Sequence, residues 1–350
     1  MLSITLLSQP HFCTSALPHE SPCEPCRYYG FDTVRSISAF LVVGCHLSIW
    51  TSDAASAFLR YNQIAVPLFA AISGFLLSRS INKETTGTVL RKRVVRLVPV
   101  HIIWTVVYLT VFSLTDLFLN TPAGYLRSMS PLFLAKAFLR GSATVHLWFL
   151  PSILFSSVVL ILTDRFLPRF KWLYLAASVF VLFAATFLNN HFANYDMRLF
   201  GYLLMGFGLF RLLSETSFPN IGKATIPLWI LSVLSYGWLK GLFSGFYLDY
   251  ILVLLTMIVF SDKSIPKNRI SAFFSSTSLM VYLVHLLVAC FVALAVKHFC
   301  REPVGILVTL SMWLFIFLFS TAFSFFCGKL INYSQRFYRS HFQISAPAKE

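Results

Sequence analysis

Residues 28–50 read YYGFDTVRSISAFLVVGCHLSIW. The stretch is long and apolar enough for a membrane-spanning helix, yet it carries Asp32, Arg35 and His46. An ionisable group in hydrocarbon is costly, so one that is retained there is a functional candidate by default. Asp32, Arg35, Ala39, Val42 and His46 follow one another at steps of three, four, three and four, which sets them on one stripe of a helix. Such a stripe is expected to face protein or a wet cavity, not lipid. The plainer reading of the same residues is one packed ion pair and a hydrogen-bonded core histidine.

The rest of the chain repeats the pattern. Apolar residues make up 57% and charged residues 12%, and the mean hydropathy is +0.74. Apolar runs of bilayer-spanning length fall near 31–50, 62–79, 97–115, 147–163, 172–188, 197–213, 224–240, 245–260, 275–296 and 304–330. None alternates as a membrane β-barrel strand would. The expected fold class is therefore an all-α polytopic membrane protein with about ten transmembrane helices and no soluble domain. Residues 1–27 and 333–350 are expected as cytoplasmic tails flanking a membrane domain over 28–332.

A net charge of +15 would ordinarily invite a nucleic-acid partner. Its distribution points to the bilayer instead. Of the 28 Lys and Arg, 20 fall in the segments 27–35, 79–96, 165–171, 211–223, 263–269 and 329–349. All of these lie on one side if the N-terminus is inside, as the positive-inside rule requires for ten helices with both termini cytoplasmic. The lipid bilayer is a partner, and no nucleic acid is needed.

Among the seven cysteines, SPCEPC (21–26), with His11 and His19 nearby, offers a zinc reading. It lacks a second paired-ligand motif, and Pro22 and Pro25 suit a flexible tail, so no metal is expected. Residues 1–17 lack a basic leading segment, so no cleaved signal peptide is expected.

Elsewhere, chemistry-bearing residues are few. In AVPLFAAISGFLLS (65–78), Gly74 permits close helix approach and Ser73 can hydrogen-bond across helices. In RKRVVRLVP (91–99), Arg93 and Arg96 would present two guanidinium forks suited to phosphate. Topology alone also places arginines at inner helix ends. PLFLAKAFLR (131–140) has the composition of a helix lying in the membrane interface. Asp32 is fourteen residues from His46, roughly 21 Å along a helix, too far to orient that imidazole. It is expected to pair with Arg35 or with the loop arginines. Cys45 points about 100° away from His46, so a Cys–His dyad is set aside. Asp249 requires a partner if it lies within the membrane.

In chain order, Arg35 and His46 eleven residues apart, LFAAISGFLL (68–77), the Arg93–Arg96 pair, HLWFLP (146–151), RLFGYLLMGFGLF (198–210) and SLMVYLVH (278–285) resemble the integral-membrane acyltransferase family 3. The likeness runs from about residue 28 to 335. It implies an enzyme of the bacterial inner membrane that moves an acyl group, often acetyl, from cytoplasmic acyl-CoA. The acceptor would be a hydroxyl of a cell-envelope glycan, exopolysaccharide or lipid-linked sugar. Acyl-CoA would be a donor substrate, with no bound cofactor. Carried over, His46 would be catalytic and Arg35, Arg93 and Arg96 would hold the donor, with Asp32 and Ser73 as further substrate-binding candidates. His146 and His285 are candidates for the acceptor path. Some members add a C-terminal extracytoplasmic esterase-like domain. None is expected in this chain, so the bundle is expected to finish the transfer or hand on to a separate protein.

The spacing is compatible with that role. His46 lies roughly 16 Å further along the helix than Arg35, so phosphates held near Arg35 would leave a thioester arm pointing towards His46. A neutral imidazole there suits a general base for a hydroxyl acceptor. The alternative class is a secondary transporter or flippase, which ten spans and buried charges would also fit. Transporters often carry internal repeats with interrupted helices, and no convincing repeat is found. A scaffold subunit with a degenerate site is a third class, but the Arg35, His46, Arg93 and Arg96 set is intact.

Overall fold

Where the sequence is apolar over bilayer length, the computed structural model is helical. It describes residues 28–47, 60–119, 129–144, 146–166, 171–188, 191–214, 221–242, 246–299 and 306–341. The elements are α1 (Gly30–Cys45), a short 3-10 helix (Arg60–Ile64), α2 (Ala65–Ile81), α3 (Thr86–Leu119), α4 (Pro131–Arg140), α5 (Phe149–Phe166), α6 (Lys171–Ala185), α7 (His191–Leu213), α8 (Ile221–Leu242), α9 (Phe246–Phe260), α10 (Arg269–Phe299) and α11 (Ile306–His341). No strand occurs among the described residues. In hydrocarbon only a helix satisfies its backbone within one segment, and a helix lies on each of the expected apolar runs. Among the described residues, four stretches are long and apolar enough to cross a membrane: Tyr61–Ile81, Thr86–Leu117, Arg269–Val292 and Leu307–Lys329.

Helix ends differ from expectation in informative ways. The first helix, expected to reach residue 50, stops at Cys45. There the N–H groups of His46 and Leu47 bond to the carbonyls of Val43 and Gly44, tightening the last turn to a three-residue pattern. The third helix begins eleven residues before its expected start at 97, so most of the supposed 80–96 loop is helix. Lys and Arg are good helix formers, and hydropathy registers only the apolar part of such an element. The last helix continues to His341, beyond the expected end at 330. The tail 1–27, residues 342–350 and the outer-loop segment 120–128 lie outside the described residues.

The amphipathic helix expected over 131–140 forms as α4. Ser130 caps it by accepting from the N–H of Phe133 at 3.1 Å, Pro131 opens it, and Gly141 closes it at φ 68°, a left-handed conformation. Ala137 is buried while Leu132 and Leu139 are exposed. The imidazole of His101 on α3 donates through Nε2 to the carbonyl of Phe138 at 2.8 Å, fastening α4 to the bundle.

Polar pairs and close approaches lock the helices. On α9, Asp249 accepts from Lys240 Nζ at 2.8 Å and from the Tyr236 hydroxyl at 2.6 Å, both on α8. This is the partner that Asp249 requires. On α5, Asp164 accepts from Arg211 of α7 and from Tyr174 of α6, each at 2.8 Å. The tightest contact is between α2 and α7. A Cβ on Gly74 would lie 2.0 Å from the Leu203 carbonyl oxygen, and one on Gly206 would lie 1.8 Å from that of Ala71. The two backbones therefore touch with no room for a side chain on either helix.

Two ends of the bundle differ in chemistry. At one end, Arg79 and Lys263 lie over the Tyr28 ring at 5.2 Å and 5.8 Å. This basic end contains the starts of both α1 and α10, which run side by side. Asp32 accepts from Ser275 at 2.8 Å, and Ser36 donates to the Ser271 carbonyl at 2.9 Å. Parallel packing carries their other ends to the far side together, and there the candidate site lies.

Candidate active site

Three histidines from distant parts of the sequence meet at the far end of α1. His46 follows the last residue of α1, His146 lies in the turn before α5, and His285 is near the middle of α10. The ring centroids of His46 and His285 are 5.1 Å apart, those of His146 and His285 5.3 Å, and those of His46 and His146 6.2 Å. His146 and His285 are buried and His46 is partly exposed. They are not arranged to hold a metal ion.

Their surroundings fix the rings. His285 Nδ1 is 3.0 Å from the Val281 carbonyl, one turn back on its own helix. His146 Nδ1 is 2.9 Å from the Thr144 hydroxyl, and its main-chain carbonyl accepts from the Tyr282 hydroxyl. Tyr108 of α3 packs edge-on against His146, with centroids 5.0 Å apart, and donates to the Leu283 carbonyl at 2.6 Å. Both tyrosine hydroxyls are thus committed to backbone. The Nε2 atoms of His146 and His285 are buried with no hydrogen-bond partner. Unpaired buried nitrogens are uncommon and cost about 1–3 kcal/mol each, so two of them side by side mark a place built to receive something polar.

The arginines separate from one another. Arg93 reaches into the bundle, donating through Nη1 to Ser157 Oγ at 2.7 Å and through Nη2 to the Ser73 carbonyl at 3.0 Å. Ser157 passes its own hydrogen to the Ile153 carbonyl at 2.6 Å. Arg93 therefore ties α3 to α2 and α5, with two of its five N–H groups engaged. Its contacts lie eight residues from the end of α2, roughly 12 Å inside the basic end. Arg96, three residues on, is exposed where Arg93 is half-buried, so of the two only Arg93 reaches into the bundle. Ser73 takes part through its backbone carbonyl. Arg35 is half-buried, and Asp32, at the foot of the same stripe, is buried against Ser275.

Residues 28–329 match the acyltransferase domain of acyltransferase family 3. The chain belongs to that family. No curated protein and no solved structure matches it. As an acyltransferase family 3 member it is a membrane acyltransferase, and the histidine cluster is its candidate reaction centre. His46, His146 and His285 were each visible in sequence as ionisable groups within apolar surroundings. Tyr108, Thr144 and Tyr282 were not singled out. Tyr282 lies three residues before His285, a spacing that shares a helical face, whereas nothing in the sequence around Tyr108 marks it.

Proposed function

We propose that this family member is an acyl-CoA-dependent O-acyltransferase of the bacterial inner membrane. It carries an acyl group, acetyl in the first instance, from cytoplasmic acyl-CoA to a hydroxyl of an envelope glycan, exopolysaccharide or lipid-linked sugar. The observation that carries the reading is the convergence of His46, His146 and His285 at the end of α1 opposite the basic end. Ten spans with both termini cytoplasmic place the basic end in the cytoplasm, where acyl-CoA is found. Arg35 and Arg96 then serve the donor phosphates, and the thioester arm runs up beside α1, a reach of roughly 16 Å.

At the cluster, His46 takes the proton of the acceptor hydroxyl as its oxygen attacks the thioester carbonyl. The new C–O bond forms, the C–S bond breaks, and the proton leaves with the thiolate as free coenzyme A. His146 lines the acceptor side, where its unpaired Nε2 can meet a sugar hydroxyl.

Sidedness tests the reading. Inside-out vesicles supplied with [14C]acetyl-CoA are expected to gain alkali-labile label in their glycan or lipid-linked fraction. Sealed right-side-out vesicles are not. Label gained equally from both sides, or from neither, would overturn the donor and its placement.

The two arginines are expected to differ. Arg96→Ala should raise the KM for acetyl-CoA while leaving the melting temperature unchanged, and Arg96→Lys should restore it only in part, since an ammonium lacks the bidentate fork. Arg93→Ala should lower donor use and the melting temperature together, because Ser157 and the Ser73 carbonyl lose their partner. Unaltered donor dependence in both alanine variants would return these arginines to a purely topological role.

A further inference from the structure

His285 holds a fixed tautomer. A carbonyl oxygen only accepts, so the 3.0 Å contact between Nδ1 and the Val281 carbonyl requires the ring proton on Nδ1. In the neutral ring, Nε2 is then a lone pair. That atom is buried with no hydrogen-bond partner. A buried acceptor of this kind calls for a donor.

The nearest imidazole is His46, with centroids 5.1 Å apart and planes tilted by 39°. Two imidazoles joined edge to edge by one N–H···N bond of about 2.9 Å have centroids about 5 Å apart, so a small rotation of the partly exposed His46 ring completes the bond. Catalytic hydrogen bonds commonly tighten only when substrate is bound. His146 is the competing donor, at 5.3 Å and a steeper 68°. Asp32 does not take this place, since it is fourteen residues back along α1 and bonded to Ser275.

We propose that His285 is the positioning partner of His46. Its fixed Nε2 lone pair accepts the ring N–H of His46 and so leaves the other His46 nitrogen as the base. This rests on the reading of His46 as general base. When the acceptor hydroxyl gives its proton to His46, the bond to His285 holds the imidazolium in place. The same proton departs with the coenzyme A thiol, and His285 keeps its own Nδ1 proton throughout. The arrangement does the work that a carboxylate does in a hydrolase triad, with a neutral ring that suits a site of low polarity.

The test begins with a measurement that does not depend on turnover. The full chain, labelled with 15N-histidine in lipid nanodiscs, is compared with His285→Gln, and His46→Gln assigns the His46 signals. The expected result is one pure His46 tautomer in the parent protein and a mixture in His285→Gln, which has nearly the same side-chain volume. An unchanged His46 spectrum, or a ring-to-ring coupling that joins His285 to His146 instead, would overturn the proposal.

Transfer from [14C]acetyl-CoA supplies the second arm. His285→Gln is expected to lose at least tenfold in kcat with an unchanged KM for acetyl-CoA, and His46→Gln combined with His285→Gln should be no slower than His46→Gln alone. Losses that multiply would show that His285 acts independently of His46 and would overturn the pairing. If the parent protein transfers no acetyl group, the acyl-CoA reading fails, and the tautomer measurement still decides the pairing.

Discussion

His46→Gln is expected to lower acyl transfer by about 10²–10⁴-fold, the usual contribution of a general base. The protein should still insert and fold, because the glutamine fills a partly exposed position just past the end of α1 and interrupts no helix. Glutamine keeps hydrogen-bonding capacity but cannot take up a proton near neutral pH, which separates chemistry from packing. His46→Ala should be as slow as His46→Gln if the imidazole is the base. Were His46 only a structural core group, glutamine would preserve most of the rate. Label transfer from [14C]acetyl-CoA, normalised to folded protein in the membrane, is the measurement. A His46→Gln protein working at close to the parent rate would sink the mechanism.

The largest structural effect is expected at Gly206. A Cβ there would sit 1.8 Å from the Ala71 carbonyl oxygen, a backbone atom that cannot swing aside as a side-chain tip would. Gly206→Ala must push α7 away from α2, and Gly74 makes the reciprocal contact with Leu203, so both glycine contacts open together. Overpacking of this kind costs typically about 1–3 kcal/mol and sometimes more. We expect a fall in the melting temperature of the detergent-purified protein and reduced yield of folded protein. Gly87→Ala is the control: no atom lies within 4 Å of its Cβ position, and alanine is the better helix former. It should be neutral or slightly stabilising. Equal behaviour of Gly206→Ala and Gly87→Ala would refute the close-packed account of α2 and α7.

Much of this architecture was legible because hydrocarbon leaves the backbone few options. An apolar run such as 197–213 has to be helical, and α7 covers it. Element ends were less legible. Arg91, Lys92, Arg93 and Arg96 read as a loop by hydropathy yet are the first turns of α3, since charge and helix propensity are separate properties. Within the site, each histidine was conspicuous alone, because an ionisable ring in an apolar run needs a reason. Their meeting was not readable, as residues 46, 146 and 285 are joined only by the way α1, α10 and the turn before α5 pack. Arg93 and Arg96 show the converse. Spacing suggested a shared fork, but packing of α2 and α5 claims Arg93 and leaves Arg96 outside. Asp249 announced its need for a partner without naming Lys240, which the packing of α8 against α9 sets beside it.

The unequal lengths of the outer helices bear on the lipid around the protein. The lipid-facing side of α6, with Trp172 and Phe180 exposed, rests on a helix of 15 residues, roughly 22 Å. The apolar part of α3 from Leu97 to Leu117, beyond its four basic residues and with Val106 and Leu117 exposed, extends roughly 31 Å. A flat hydrocarbon layer of about 30 Å matches α3 and not α6. Lipid must thin against α6 while it keeps its ordinary thickness beside α3. The annulus is therefore lopsided, and bilayer thickness becomes a variable to which this enzyme's stability should respond, independently of any substrate.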